Sequence, residues 1–199
     1  WGGQVCSLKL GIDIHVTDDK WLNYVPKMDA SDMKVLDPNK LINGDITVKD
    51  VPKKVVLMIV PISNLDPDLA PSGCQNLHTV TPTLGITPNM EERKKISKAF
   101  EEASMNTLLD LWPEIEDHIL WTDFVSDVFL EAKLGKEGAG TGIGQIVGQV
   151  GKNRPSQISP IKNLYYSSAD AGGWGVGTEL AAKSALDLFD YFKEQKTIL

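Results

Sequence analysis

The sequence contains only two cysteines, Cys6 and Cys74, and they do not form a metal-binding or redox motif. They lie far apart in the chain with no C-x-x-C spacing, which argues against a zinc site and against a disulfide framework. Such sparse cysteine usage fits a reducing compartment, so we expect a cytoplasmic protein.

The chain also lacks an excess of basic residues. Its 20 lysines and arginines are outnumbered by 27 aspartates and glutamates, which gives a net charge of −7. We therefore expect no nucleic-acid partner, because no positive surplus is present to replace the counterions of a phosphate backbone.

Long hydrophobic runs are missing as well. The longest, Val55–Ile62, is interrupted by Pro61 and is far too short to cross a bilayer. The rest of the composition, 42% hydrophobic and 24% charged over 199 residues, is that of a globular chain long enough to bury a core.

A dinucleotide-binding fingerprint is absent too. No strand-like stretch leads into G-x-G-x-x-G, and the alternating glycines of Gly138–Gly144 follow a charged segment and lack that register. This stretch is most simply a flexible loop. The three histidines (His15, His78 and His118) show no metal-ligand spacing and are typical of surface or core residues.

Hydrophobic periodicity predicts a succession of strands and helices. A long helix is expected to begin at Thr87-Pro88, with Thr87 as its cap, and to end before Pro113. The predicted strands are Val5–Ile14, Trp21–Val25, Val55–Ile62 paired with Gln75–Thr81, and His118–Thr122. Further helices are predicted within Asp29–Asn43, split near Pro38, and over Val125–Ala132.

The C-terminal block combines three elements in an order typical of phosphate sites. Leu164–Ser168 is aromatic-rich and predicts a strand, Ala169–Gly177 holds four glycines, and a helix is expected from Thr178. Glycines let backbone amides approach an anion, and a helix N-terminus favours negative charge. The same arrangement also occurs as a plain packing joint, so spacing alone leaves both interpretations open.

This block resembles the terminal flavin-binding segment of the phytoene desaturase-like flavoproteins, which are relatives of the amine oxidases. The resemblance implies that the turn and the helix start lie against the flavin and its ribityl-pyrophosphate. Ser167, Ser168 and Trp174 depart from the family pattern. The implied FAD contacts are Asp170, Gly172, Gly173, Trp174, Gly175, Val176 and Gly177.

Further matches follow in the same order along the chain. The segment Pro61–Gly73 resembles the family's P-S-x-x-D-P-x-x-A-P-x-G loop, although its prolines and aspartates also have a sufficient local role in fixing a turn. Thr122-Asp123-Phe124 resembles a T-P-x-D-F element without its proline. Arg154-Pro155, followed by Ser159-Pro160, resembles the segment that returns to the last strand.

Together these features predict an α+β fold. Residues 1–150 are expected to form a substrate-domain portion with a mixed or antiparallel sheet and packed helices. Residues 151–199 are expected to supply the closing strand and helix of a Rossmann-like FAD-binding domain. The chain opens at Trp1 without Met or signal-peptide features and lacks the N-terminal βαβ unit that holds the ADP half of FAD. We therefore expect the C-terminal part of a longer enzyme, which alone binds FAD weakly or not at all.

The resemblance implies an FAD-dependent oxidoreductase that desaturates, saturates or isomerises an apolar, isoprenoid-like substrate. No catalytic side chain is identified, since the flavin would do the redox chemistry. An amine oxidase-like activity and a non-enzymatic interaction module remain as alternatives. A peripheral membrane contact and a homodimer are compatible with the expected exposed apolar surface.

Overall fold

The computed structural model describes residues 5–28, 38–83, 89–135, 143–144 and 146–195. The chain divides into two compact units, one within Gln4–Gly138 and the other within Ala139–Leu199. Among the residues described, none of the helices combines the length and the apolar character needed to cross a bilayer.

The first unit is built around a five-stranded antiparallel sheet. Its strands, in chain order, are β1 (Val5–Ile12), β2 (Leu22–Tyr24), β3 (Leu57–Pro61), β4 (Gln75–Pro82) and β5 (Ile119–Val125). They lie side by side in the order β2-β3-β4-β1-β5. The predicted pairing of β3 with β4 is confirmed, with Met58 opposite Val80.

Among the described residues of this unit, three α-helices accompany the sheet, and the α+β class predicted from the sequence is confirmed. They are α1 (Pro38–Asn43), α2 (Met90–Leu111) and α3 (Asp127–Leu134). The buried stripe of α2 shares one apolar core with alternate residues of the strands, because strand side chains on one face recur every second position. The core includes Ile96, Phe100, Ala103 and Leu108 of α2, together with Leu8, Leu10, Leu57, Ile59 and Leu77 of the sheet.

The start of α2 differs from the sequence prediction. Asn89 is the N-cap, and its side-chain oxygen accepts hydrogen bonds from the backbone N–H groups of Glu91 and Glu92 at 3.0 and 3.1 Å. Thr87 and Pro88, the predicted cap and first helical residue, lie outside the described residues. Asparagine caps a helix as well as threonine does, so composition alone could not place the boundary.

The second unit contains one long helix, α4 (Gly177–Glu194), which begins one residue before the predicted position. The predicted strand over Leu164–Ser168 is wrong: only Tyr165 is paired, in an isolated bridge with Ile158. Beside this bridge the Tyr166 N–H donates to the Gln157 carbonyl at 2.8 Å, and the Ser168 N–H donates to Ser184 Oγ of α4 at 3.2 Å. Two short extended pieces without a third strand do not make a stable sheet.

Candidate functional site

The second unit contains an open cavity of about 370 Å³. Its wall is formed by the loop that runs from Gly151 to Ile158, by the turn residues Gly172 and Gly173, and by the middle of α4 around Asp187, Leu188 and Tyr191. The volume lies within the range of small-molecule sites in proteins.

Two glycines hold the loop and the turn against each other. The N–H of Gly172 donates to the carbonyl of Pro155 at 3.0 Å, and its φ of +94° is one that L-residues rarely adopt. Gly151 has φ +56°, and a Cβ built there would lie 2.8 Å from the indole of Trp174. Any side chain at Gly151 would therefore displace that ring.

Arg154 is the most unusual residue of the cavity wall. It is only 7% exposed, and its Nη2 donates to the carbonyl of Ala169 at 2.7 Å. Its Nε and Nη1 are buried without any hydrogen-bond partner among the described residues. Leaving a charged donor buried and unpaired costs several kcal/mol at the order-of-magnitude level, so such a group needs an acceptor.

Gln157 joins the cavity loop to α4. Its amide nitrogen donates to Ser184 Oγ at 2.9 Å and also to the Ser184 carbonyl. Ser184 is fully buried, and its hydroxyl accepts the Ser168 N–H as well. This network fixes the position of the loop on the helix, since each partner is satisfied inside the unit.

The charged side chains of the wall favour an anion. Lys152 and Arg154 are positive, and Asp187 is the one acidic residue of the wall within the described part of the chain. The Asp187 carboxylate already accepts from Lys183 Nζ at 2.5 Å, one helical turn away. Because that lysine compensates Asp187, the positive charge of the loop is left unbalanced.

Of the seven FAD contacts predicted from the resemblance, Gly172 and Gly173 line the cavity. Trp174 does not line it but covers Gly151, and its side chain is 72% exposed. Asp170 accepts a hydrogen bond from the N–H of Ile143 at 3.0 Å.

The remaining three predicted contacts form the start of α4. Gly175, at φ +120°, lies so close to the helix that an added Cβ would be 3.2 Å from the backbone nitrogen of Leu180. Val176 is the N-cap residue and is exposed, and Gly177 begins the helix at φ +57°. The cavity borders the middle of α4, so the expected phosphate position at the helix N-terminus is not where the cavity lies.

Two of the three histidines of the first unit pair with aspartates. His15 Nε2 lies 2.9 Å from Asp18, and His118 Nδ1 lies 2.7 Å from Asp13. Burial lowers the pKa of His78 below its usual range, and the charge of Lys9 acts in the same direction. Within the described residues, no three metal-binding side chains come together.

The proline-rich loop of the first unit has the structural role that its composition predicts. Asp66 caps a 3-10 turn, Pro67–Leu69, by accepting the N–H of Asp68 at 3.2 Å. Asn64 donates to the carbonyls of Thr17 and Asp19 at 2.8 Å each. The loop borders an open surface depression of about 340 Å³ with His15 and Cys74 in its wall.

From the sequence, Arg154 was identified only as part of the Arg154-Pro155 motif, and the burial of its side chain was not predicted. A signal was present, because the chain has only two arginines, Arg93 and Arg154, and no acidic residue stands between Gly138 and Ala169. A lone arginine in an acid-free segment of an acidic protein has no local partner and is a candidate for binding an external anion.

No protein-family model matches the chain, and the search of curated proteins found no significant match either.

Proposed function

We propose that the chain is the C-terminal part of an FAD-dependent oxidoreductase and that its second unit supplies part of the flavin site. The motif resemblances support this proposal, and one structural observation carries it. A buried arginine without an anionic partner stands in the wall of a cavity that is also lined by Gly172 and Gly173, the glycines of the flavin-like segment.

The residues of this cavity fit a flavin nucleotide. Arg154 supplies a positive charge and unpaired N–H donors in the cavity wall, which suit a phosphate oxygen. Gly173 has open space where a Cβ would be, so its backbone is accessible to a ligand. When bound, a flavin would supply the hydride chemistry, and the chain would hold and orient it.

The proposed substrate is an apolar molecule of the isoprenoid type, to be desaturated, saturated or isomerised. Several apolar side chains of the second unit are exposed and suit such a substrate or a peripheral membrane contact. They include Ile146, Val147, Ile161, Trp174 and Val176.

A flavin titration of the 199-residue chain tests the proposal. We expect saturable quenching of FAD fluorescence with a dissociation constant of about 0.1–1 mM, which is weak because the ADP half of FAD lacks its own site. Calorimetry should give the same value. An absence of binding at several times that concentration would mean that this chain alone does not hold the flavin, and it would overturn the cavity as part of the flavin site.

The choice of variant matters for this titration. Gly175→Val would strain the turn itself, because Gly175 has φ +120° and contacts Leu180. Gly173→Val adds its side chain into open space in the cavity wall and should abolish FAD binding without unfolding. Gly73→Ala, at an open position in the first unit, controls for a glycine substitution remote from the cavity.

An interaction module is the second candidate, and an exposed apolar face of α4 favours it. Leu186 and Phe189 are 64% and 53% exposed. Sedimentation of the purified chain discriminates the two. Stable self-association that Leu186→Ser and Phe189→Ser disrupt, without any flavin binding, would favour the module.

A further inference from the structure

The two arginines of the chain are in contrasting surroundings. Both are more than nine-tenths buried, one in each unit. Arg93 is held by two carboxylates: its Nε donates to Asp127 at 2.9 Å, and its Nη1 donates to Glu131. Arg154 has one neutral acceptor, the Ala169 carbonyl, and no carboxylate within the described residues. Arg93 has one buried nitrogen without a partner, Nη2, whereas Arg154 has two and no carboxylate to balance its charge within the described residues.

The position of Arg154 is fixed by the loop rather than by a charge partner. It follows a 3-10 turn, Gly151–Asn153, and its own N–H donates to the carbonyl of Gly151 at 3.1 Å. Pro155 restricts the backbone immediately after it. The backbone that carries Arg154 is therefore fixed by the loop.

The two unpaired nitrogens of Arg154 are shielded from solvent, since each exposes less than 1 Å². Arg154 is nevertheless one of the residues that line the cavity. Lys152, two residues earlier, adds a second positive charge to the same wall. An anion that Arg154 reaches would gain a charge-assisted hydrogen bond and would give a buried, unpaired donor an acceptor.

We propose that this cavity is a phosphate-binding site and that Arg154 anchors a phosphate or pyrophosphate group in it. The proposal assigns a residue outside the glycine turn and rests on the geometry of Arg154. It rests on the proposed function only in so far as the phosphate belongs to a flavin nucleotide. A free phosphate compound is the other source of the same chemistry, and the titrations below separate the two.

The scarcity of arginine makes a direct measurement on the unmodified chain possible. Protein labelled with ¹⁵N-arginine gives two Nε–Hε resonances, and loss of one in Arg154→Lys assigns them. Inorganic pyrophosphate should shift the Arg154 resonance saturably and leave that of Arg93 unchanged, because Arg93 is held by Asp127 and Glu131. Pyrophosphate that moves neither signal at tens of millimolar overturns the proposal.

A calorimetric series supplies the second measurement. The ligands are inorganic pyrophosphate, FAD and riboflavin, which has no phosphate. Arg154→Met keeps the aliphatic packing and removes the donors, so it should weaken pyrophosphate binding at least about tenfold. Lys162→Met removes an exposed positive charge of the same unit outside the cavity wall and should leave binding within about twofold.

The outcomes separate the two proposals. Pyrophosphate binding that depends on Arg154, without FAD binding, supports the phosphate site and overturns the flavin function. FAD binding that is unchanged in Arg154→Met supports the flavin function and overturns the phosphate anchor. FAD binding that weakens in Arg154→Met while riboflavin binding does not supports both. Equal weakening by Lys162→Met would mean nonspecific charge attraction and would overturn the anchor.

Discussion

Trp121 on β5 lies directly over the backbone of Gly11 on β1, its partner in the antiparallel register. A Cβ built on Gly11 would come within 2.1 Å of the indole Nε1. The ring shields backbone that a glycine in a central strand would otherwise expose, an arrangement known to compensate for glycine in sheets. The two residues are therefore expected to behave as a coupled pair.

Gly11→Ala should lower the free energy of unfolding by about 1–3 kcal/mol, because the added methyl group forces the indole aside. Urea denaturation measures this value. In a Trp121→Ala background, the same substitution should cost much less, since nothing remains for the methyl group to strike. Equal costs in both backgrounds would show that the two residues are not coupled.

Arg93→Met should destabilise the first unit by about 3–5 kcal/mol, because it leaves Asp127 and Glu131 without their buried partner. Burial opposes the charge of Arg93, but its hydrogen bonds to Asp127 and Glu131 prevail and raise its pKa. Chemical denaturation gives the cost. The double variant Arg93→Met/Asp127→Asn should recover part of the loss, and no recovery would contradict a role for the ion pair.

The two thiols should differ in reactivity. Burial, reinforced by the charge of Asp127, raises the pKa of Cys6 from 9.0 to about 12, whereas Cys74 is half-buried at the surface. At pH 8 a chromogenic disulfide reagent should label one thiol per native chain and two after denaturation. Cys74→Ala should abolish the native reaction. Rapid labelling of two thiols in the native protein would contradict the burial of Cys6.

The Cys6 thiol also predicts a pH dependence of stability. The pKa of Cys6 is raised on folding. Its contribution to the free energy of unfolding is therefore complete below pH 9, where the unfolded thiol is still protonated, and is lost as the pH rises towards 12. Between pH 9 and 10.5 the unfolding free energy should fall more steeply in the wild type than in Cys6→Ala. The Cys74→Ala variant should keep the wild-type slope, and parallel slopes in all three proteins would be the contrary result.

The contribution of Asp50 to folding stability should depend on pH in the opposite direction to that of Cys6. A hydrogen bond from Lys40 at 2.6 Å lowers the pKa of Asp50 below its ordinary value of 3.8, with smaller help from Thr47. Its contribution is therefore present at neutral pH and lost as the pH falls below about 4. Asp50→Asn should cost about 1 kcal/mol at pH 7 and progressively less as the pH falls below 4. A pH-independent cost would exclude the carboxylate as the cause.

The helices and most strands could be predicted because their signals are local. The alternating apolar residues of β1 and β4 and the long stripe of α2 each follow one period, and burial of that face determines the element. The strand predicted over Leu164–Ser168 is wrong because its outcome depends on contacts that are not local. Its composition suits a strand, but its pairing is limited to the bridge between Tyr165 and Ile158, and at Ser168 the N–H donates to the Ser184 hydroxyl rather than to a neighbouring strand.

The candidate site was predicted only in part. Gly172 and Gly173 were found because glycines in a turn are visible in sequence, and both line the cavity. The role of Arg154 depends on contacts that no spacing rule encodes: the Ala169 carbonyl that it does reach and the carboxylate that it does not. Whether the charge of an arginine is balanced depends on which side chains lie next to it in the folded chain.

The order of strands in the sheet bears on how the protein is made. β1 is synthesised first, yet it lies between β4 and β5, and the Lys9–Asp123 ion pair joins residues 114 positions apart. During vectorial synthesis on the ribosome, β1 must therefore wait until β5 has left the exit tunnel before both of its edges are paired. Its apolar residues are exposed throughout that interval, so the first unit should depend on chaperones in the cell more than a unit built from sequential hairpins would.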